Sequence, residues 1–331
     1  MIEVVYAVLL HGVHVGAIHR RDSFTKFIFD SDYWDRPDRA VLGRWFEGHP
    51  NRRPHATNRV PAWFSNLLPE GPLRDLIAHE QGVSPYQEMD LLVRIGRDLP
   101  GAVEVVPDPQ THIDAGLDGS VETSAPVPSA TGRVRFSLAG MGMKFSVRQN
   151  GDRIVLPAHG EGGDWIVKVP DAAFPRLPAN EFAVMGLARD VGIEVPEARM
   201  VRRTVFNLLV GNGDAHLKNW SLIYPDRKRA RLSPAYDLVC TAVYLPAPGD
   251  PELGLPFFGA TRLSEVSREH FVRLKGVLRV GDGEVLNVVD ETLERFCDAW
   301  ADSAGERMPP PVAEWIGAHV EQTRSRIRSS G

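Results

Sequence analysis

The first third of the chain shows sheet-like and then helix-like spacing of its apolar residues. In "VVYAVLLHGVHVGAIHR" (4–20) two apolar runs flank a central His-Gly pair, which predicts a β-hairpin, and "KFIFD" (26–30) predicts a further strand. From 60 to 81 the apolar residues of "VPAWFSNLLPEGPLRDLIAHEQ" recur at helical spacing, and "YQEMDLLVRIG" (86–96) continues it. This pattern predicts a small sheet followed by helices.

A stretch rich in proline and glycine, with few large apolar side chains, interrupts the pattern at 108–132. Such a composition is typical of a linker or an exposed loop. We therefore place a boundary there, after an N-terminal segment at 1–107.

Three strands are predicted after the linker, in "RVRFSLAG" (133–140), "KFSVRQNGDRIVLP" (144–157) and "DWIVKVP" (164–170). Asn150-Gly151 in the second of them predicts a hairpin turn.

The stretch "ANEFAVMGLARDVG" (179–192) predicts an amphipathic helix that ends at Gly192. The apolar residues on or near one face are Phe182, Met185, Leu187, Ala188 and Val191. From 205 onward the chain is predicted to be mostly helical, apart from a hairpin at 220–237. The whole pattern predicts an α+β fold, with later segments at 133–204 and 205–331.

Composition places the chain among ordinary globular proteins. Of 331 residues 43% are apolar and 24% charged, and a net charge of −5 argues against nucleic-acid binding over the whole surface. Cys240 and Cys297 are too few for a disulfide framework and are expected to be buried apolar filler. The opening "MIEVVYAVLL" is typical of a strand, not of a signal peptide, and no apolar run reaches membrane-spanning length. We expect a cytoplasmic protein without a membrane partner.

Two polar residues between apolar runs have the spacing of a phosphoryl-transfer loop. In "VGNGDAHLKNWSLI" (210–223), Asp214 lies five residues before Asn219. In such a loop the carboxylate reaches the attacking hydroxyl, while the amide oxygen binds the magnesium that bridges the phosphates. Short polar residues between elements are also common turn formers and helix caps, so the spacing alone leaves both interpretations open.

A second carboxylate follows on the predicted hairpin. The second strand of that hairpin is predicted to end at Asp237, where a kinase keeps its other magnesium ligand. The alternative for Asp237 is an N-cap before "LVCTAV" (238–243).

Features upstream fit a nucleotide site. Gly140 and Gly142 are predicted to form a turn whose N–H groups could face phosphates, and a plain hairpin turn is the alternative. Lys168 interrupts the apolar strand "WIVKV" (165–169), which fits a phosphate ligand or a solvent-facing edge. Glu181 opens the next helix, where it could pair with Lys168 or simply favour the helix N-terminus. The order of these features along the chain is that of a kinase active site.

Several stretches resemble the HipA family of serine/threonine kinases, the toxins of HipBA toxin–antitoxin modules. They are "VFNLLVGNGDAHLKNWSLI…LSPAYDLV", "FSLAGMGMKFSV" and "NEFAVMGLARDVGIEVPEARMV", together with "SNLLPEGPLRDLI" in the N-terminal hundred residues. The resemblance implies a kinase-like two-lobed fold. It assigns a β-rich HipA-type subdomain to 1–107, the ATP-binding N-lobe core to 133–204 and a mostly helical kinase domain to 205–331.

The resemblance also implies a role for each matching residue. Asp214 is the catalytic base, supported by His216, while Asn219 and Asp237 bind Mg²⁺. The residues implied to bind ATP are Ser137, Ala139, Gly140, Met141, Gly142, Lys144, Lys168 and Glu181. Autophosphorylation of Ser137 is implied to expel the phosphate-covering loop, because a dianionic phosphate there would repel ATP.

One departure from the family lies between "PEARMV" (196–201) and "RRTVFNLLVGN" (202–212). The family carries a longer segment there, which includes the hinge strand that meets adenine. That segment is absent from this sequence. The adenine-contacting residues are therefore not assigned.

The expected function is that of an ATP- and Mg²⁺-dependent toxin kinase, whose protein target in the best-known members is an aminoacyl-tRNA synthetase. The implied partner is a HipB-like helix-turn-helix antitoxin, with operator DNA bound mainly through it. Two alternatives stay open: a small-molecule or lipid kinase, and a non-catalytic pseudokinase that supports a repressor on DNA.

A basic tract on the predicted hairpin also has two interpretations. It consists of Arg227, Lys228, Arg229 and Arg231. These side chains could touch DNA phosphates beside the repressor, or they could form a solvated turn.

Overall fold

The structure is a computed structural model that describes residues 3–108, 144–150, 153–155, 165–168, 176–191, 199–246 and 249–328. The chain divides into two compact units. The first consists of Met1–Val169 with Tyr224–Arg229, and the second of Pro170–Ile223 with Ala230–Gly331. The boundaries of the four segments proposed from the sequence stay predictions.

The first unit contains a five-stranded antiparallel sheet. Its strands are β1 (Val4–Leu10), β2 (Val13–Arg21), β3 (Phe24–Phe29), β4 (His55–Thr57) and β5 (Val103–Pro107), in the order β4-β3-β2-β1-β5. β1 and β2 are joined by His11 and Gly12, whose φ angles of 51° and 76° are the left-handed values that a two-residue hairpin turn requires. The predicted hairpin and third strand are confirmed.

Five short helices accompany this sheet: α1 (Ser31–Trp34), α2 (Arg44–Gly48), α3 (Ala62–Ser65), α4 (Gly71–Glu80) and α5 (Glu88–Arg94). The helical pattern at 60–81 is divided between α3 and α4, because the chain is extended at Glu70 and Gly71 has a φ of 54°. The buried carboxylate of Glu88 accepts hydrogen bonds from Val60 N (3.1 Å) and Ser65 Oγ (3.0 Å), so it ties α5 to α3 across this break.

The first unit also contains a three-stranded antiparallel sheet of order β7-β6-β8. Its strands are β6 (Lys144–Asn150), β7 (Arg153–Val155) and β8 (Trp165–Lys168). Asn150 pairs with Arg153, which confirms the hairpin predicted at that point. The expectations for the strand 133–140, Gly151 and Gly192 lie outside the described residues.

The second unit is mostly helical, as predicted. Its helices are α6 (Leu177–Asp190), α7 (Arg199–Val210), α8 (Arg268–Leu278), α9 (Asp282–Ala299) and α10 (Pro310–Arg328). It also holds the hairpins β9 (Leu222–Ile223)–β10 (Arg231–Leu232) and β11 (Glu252–Phe257)–β12 (Ala260–Arg262). The second hairpin was not predicted, because "ELGLPF" contains a glycine and a proline that are typical of loops. Buried α7 packs against α9 and α10 at the centre of the unit.

One face of α6 was predicted wrongly. Phe182 is 83% exposed, whereas Val184, Leu187, Ala188 and Val191 are buried. Phe182 precedes Val184 by two residues, which is a rotation of about 200° around the helix. The buried stripe therefore runs through Val184 and excludes Phe182.

In the described part of the chain, no helix is both long enough and apolar enough to cross a membrane.

Candidate active site

The loop that carries Asp214 begins as the C-terminal cap of α7. Gly211 has a φ of 71°, and the N–H of Asn212 donates to the carbonyl of Asn207 at 2.9 Å, which together form a Schellman cap. A Cβ on Gly211 would approach the Trp315 ring to 2.5 Å. Only glycine fits this position, so the "VGNGD" sequence fixes where the helix ends and the loop begins.

Local hydrogen bonds then shape the loop from 212 to 219. Asn212 Oδ1 accepts from the N–H of Asp214 at 3.2 Å, and Asp214 O accepts from the N–H of His216 at 2.8 Å. A short 3₁₀ helix, Leu217–Asn219, closes the loop. The Asp214 side chain is 36% exposed, whereas Asn219 is 7% exposed. The loop thus presents a carboxylate to solvent and holds the amide inside.

Asp237 meets Asn219 at the end of this loop. The Nδ2 of Asn219 donates to Oδ2 of Asp237 at 3.1 Å. The predicted strand end at Asp237 is wrong, because β10 stops at Leu232, and Asp237 is not an N-cap, since the next helical turn is capped by Cys240. Asp237 instead adopts a left-handed conformation with a φ of 57°, which aspartate tolerates better than most residues.

The donor set formed by Asn219 and Asp237 fits a magnesium ion. Mg²⁺ in nucleotide sites takes one or two carboxylates and completes its shell with water and substrate phosphates. Among the described residues, no three His, Cys, Asp or Glu side chains converge as a metal cage. A carboxylate beside an amide therefore suits a cation that arrives with a phosphate ligand.

His216 lies beside the exposed carboxylate. Its Nε2 is 3.8 Å from Asp214 Oδ1, and its Nδ1 is buried with no hydrogen-bond partner in the described ranges. This position is compatible with the supporting role expected for His216, which stays a prediction.

The sequence analysis missed two residues that hydrogen-bond to the end of this loop. The hydroxyl of Tyr236 donates to Lys218 O at 2.8 Å and lies 2.5 Å from Ser221 Oγ. Because the phenol has one hydrogen, the Ser221 hydroxyl is the donor in the second bond. Burial raises the pKa of Tyr236, so the phenol stays protonated. Tyr236 thus links the segment that carries Asp237 to the end of the loop.

The second missed residue is Arg203 on α7, which is 2% exposed. Its guanidinium donates to Ser233 O at 2.9 Å and to Asn219 O at 3.5 Å, and it stacks over the Trp220 ring with 4.8 Å from Cζ to the centroid. The sequence signal for a buried arginine was the Arg-Arg pair inside the apolar helical stretch "VRRTVF".

The remaining candidates are described only in part. The backbones of Lys144 and Lys168 are cross-strand partners on β6 and β8. Ser137, Ala139, Gly140, Met141 and Gly142 lie outside the described residues. Glu181 lies in the second turn of α6, not at its start, because the helix begins at Leu177. The ATP-binding roles of these residues and a Lys168–Glu181 pair stay predictions.

Comparison with protein families now adds to this geometry. The family model described as the HipA N-terminal domain matches residues 6–106, and the HipA-like C-terminal domain matches residues 136–203 and 198–300. The chain belongs to the HipA family.

Individual proteins are also similar to this chain. The "Putative kinase Y4dM" of Sinorhizobium fredii is 34% identical over 79% of this chain and 81% of its own length. The "Serine/threonine-protein kinase toxin HipA" of Shewanella oneidensis is 28% identical over 44% of this chain and 35% of its own. The solved structure of S. oneidensis HipA with HipB and operator DNA matches with a TM-score of 0.70 at 17% identity, over 97% of both chains. That likeness confirms the α+β fold.

The C-terminal HipA match falls into two pieces that meet at 198–203. The sequence analysis expects a missing hinge segment at this point, which stays a prediction. Residues that contact adenine therefore stay unassigned in this member of the family.

The Asp214 loop also borders an apolar cavity of about 370 Å³ within the second unit. The loop contributes Asn212, Ala215, Leu217 and Trp220 to its wall, and α7 and β11 supply most of the rest. Asp214, His216 and Asn219 are not part of this wall. The cavity wall thus includes apolar side chains of the loop but not its acidic group.

The basic tract is partly tied down in the first unit. Arg227 O accepts from Val41 N at 2.8 Å, and Lys228 Nζ donates to Pro37 O at 3.1 Å. Arg229 is 86% exposed along its side chain. One backbone and one side-chain contact thus hold the turn, while the exposed Arg229 lies with its Nε 4.0 Å from Asp226 Oδ2. A role on DNA stays a prediction.

Proposed function

We propose that this HipA-family chain is an ATP- and Mg²⁺-dependent serine/threonine protein kinase that acts as the toxin of a toxin–antitoxin module in the cytoplasm. The observation that carries the proposal is the 3.1 Å contact between Asp237 and Asn219, the last residue of the loop that presents Asp214. Two magnesium-type ligands beside an exposed carboxylate are the parts that phosphoryl transfer requires.

Each residue has a defined task. Asp214 orients the substrate hydroxyl and accepts its proton, for which its exposed carboxylate is accessible. Asn219 and Asp237 hold Mg²⁺, which when bound neutralises charge on the phosphates. His216 supports Asp214 from 3.8 Å. Lys144, Lys168 and the segment 137–142 bind the ATP phosphates, as the family resemblance implies.

Regulation follows the family pattern in this proposal. Phosphorylation of Ser137 places a dianion where ATP phosphates bind, and so inhibits the kinase. A HipB-like helix-turn-helix antitoxin holds it inactive and carries it to operator DNA, as supported by the S. oneidensis HipA neighbour, which was solved with HipB and operator DNA. The target is a protein of the translation machinery, such as an aminoacyl-tRNA synthetase.

A second candidate is a non-catalytic partner of the repressor. The interrupted C-terminal match at 198–203 favours it, because a kinase without its hinge segment has lost part of its adenine pocket. Retention of Asp214, together with the contact between Asn219 and Asp237, favours the kinase instead.

Transfer of radiolabelled γ-phosphate tests the proposal. The full chain is incubated with ATP and Mg²⁺, with protein acceptors in one set and small-molecule hydroxyls in another, and EDTA is the control. Label on protein that EDTA abolishes is the expected result. Label on small molecules alone would replace the protein kinase by a metabolite kinase, and no label on any acceptor would favour the non-catalytic partner.

A further inference from the structure

The hydroxyl of Thr241 bridges two backbone groups of the catalytic loop. Its Oγ1 accepts a hydrogen bond from the N–H of Gly213 at 2.8 Å and donates to the carbonyl of Gly211 at 3.2 Å. The N–H of Ala242 donates to the same carbonyl at 3.0 Å. One side chain, 28 residues away in sequence, thus fixes the backbone on both sides of Asn212.

Thr241 itself is held firmly from α6. The side-chain amide of Asn180 donates to Cys240 O at 2.9 Å and accepts from Cys240 N at 3.1 Å, so it binds both backbone groups of the preceding residue. Asn180 is 1% exposed. Buried paired hydrogen bonds of this kind restrict the backbone strongly. The threonine hydroxyl is therefore an anchored group rather than a mobile one.

The loop has little room to find another arrangement at this point. A Cβ on Gly213 would lie 2.6 Å from Glu252 O, and the carbonyl of Gly213 accepts from Gly254 N at 2.7 Å. β11 thus binds the carbonyl of Gly213, and Thr241 binds its N–H. Asp214 is the next residue along the chain.

We infer that Thr241 is a positioning residue for phosphoryl transfer. Thr241 lies four residues after Asp237, and its hydroxyl accepts a hydrogen bond from Gly213, the residue before Asp214. The hydroxyl therefore fixes the position of the catalytic base relative to the segment that carries the metal ligand. This inference rests on the proposed kinase function. A displacement of the base by about 1 Å can reduce a rate on the order of 100-fold, so two backbone hydrogen bonds beside it affect turnover directly.

Three variants test this inference. Thr241→Val keeps the shape and removes the hydroxyl, Thr241→Ser keeps the hydroxyl, and Thr292→Val is a matched control. The Thr292 hydroxyl, fully buried in α9 of the same unit, donates to Val288 O at 2.5 Å far along the chain from the loop. We expect Thr241→Val to lower kcat by roughly 10- to 100-fold with little change in KM for ATP. Thr241→Ser should restore most of kcat, and Thr292→Val should keep it.

Amide hydrogen exchange provides a readout that does not depend on activity. Loss of the hydroxyl releases the Gly213 N–H, so peptides covering 211–219 should exchange faster in Thr241→Val than in wild type, Thr241→Ser or Thr292→Val. A wild type that transfers no phosphate would defeat the kinase proposal, while exchange would still decide the role of Thr241. Unchanged exchange, or a valine variant with wild-type kcat in an active enzyme, would overturn the inference.

Discussion

The side-chain amide of Asn219 and the carboxylate of Asp237 are in direct hydrogen-bond contact, 3.1 Å apart, although 18 positions separate them in sequence. The contact brings together two residues that the sequence analysis names as magnesium ligands. Tyr236 and Arg203 hold the same region through the carbonyls of Lys218 and Asn219. We therefore expect substitutions in this region to have separable effects on phosphoryl transfer and on stability.

Removing the charge of Asp237 should abolish most transfer without unfolding the protein. Asp237→Asn keeps the shape and the contact with Asn219 but weakens the hold on a divalent cation, so kcat should fall roughly 100- to 1000-fold. Kinase assays with Asp302→Asn, an exposed aspartate of the same unit, provide the control. Activity of Asp237→Asn equal to that of the control would refute a metal role for Asp237.

Tyr236→Phe should affect the metal requirement more than the fold. The variant loses the bonds to Lys218 O and Ser221 Oγ, at a cost of about 1 kcal/mol in unfolding free energy. Without these bonds the end of the loop, which carries Asn219, is held less firmly beside Asp237. We therefore expect the half-maximal rate to require a higher Mg²⁺ concentration. Tyr224→Phe, which alters a tyrosine beside Arg44 in the other unit, is the matched control. The prediction fails if both variants show the same Mg²⁺ dependence.

Arg203→Met should destabilise the second unit. The variant keeps the aliphatic stem but leaves the carbonyls of Ser233 and Asn219 without their buried donor, which costs about 2–4 kcal/mol. Urea unfolding measures this loss. Arg295→Met, which breaks only a surface pair with Glu291 on α9, should cost less than about 1 kcal/mol. Equal losses in the two variants would contradict the structural role of Arg203.

The two cysteines should differ in reactivity. Burial raises the pKa of Cys240 from 9.0 to about 12, whereas Cys297 is only half-buried, although burial raises its pKa as well. A thiol with a raised folded-state pKa stabilises the native state below the unfolded value, and that contribution is lost as pH rises from about 9 towards 12. At pH 8 a thiol reagent should therefore modify Cys297 first. Faster labelling in Cys297→Ser than in Cys240→Ser would reverse this assignment.

Local sequence signals predicted the fold well wherever the deciding interaction is local. The His11-Gly12 turn and the Asn150 hairpin follow from turn chemistry. Phe182 was misplaced because it was grouped with the wrong face of the helix: it lies about 200° around the axis from the buried Val184 and is exposed.

The sequence predicted only those site residues that lie close together along the chain or follow a known order. Asp214 and Asn219 share one loop, so their proximity follows from sequence. Thr241 and Asn180 act through backbone groups 28 and 60 residues away, and nothing in their own neighbourhoods indicates those partners. Asp237 was found by its order after the loop, yet its left-handed backbone depends on tertiary contacts.

Intact-protein mass spectrometry tests the central claim most directly. Dephosphorylated full-length protein is incubated with Mg²⁺ and ATP beside Asp214→Ala, and any added phosphate is mapped by peptide analysis. The account predicts one phosphate on the wild type, located at Ser137, and none on Asp214→Ala. Wild type that gains no phosphate, or a variant that gains as much as the wild type, would contradict the assignment of Asp214 as the base of an active kinase.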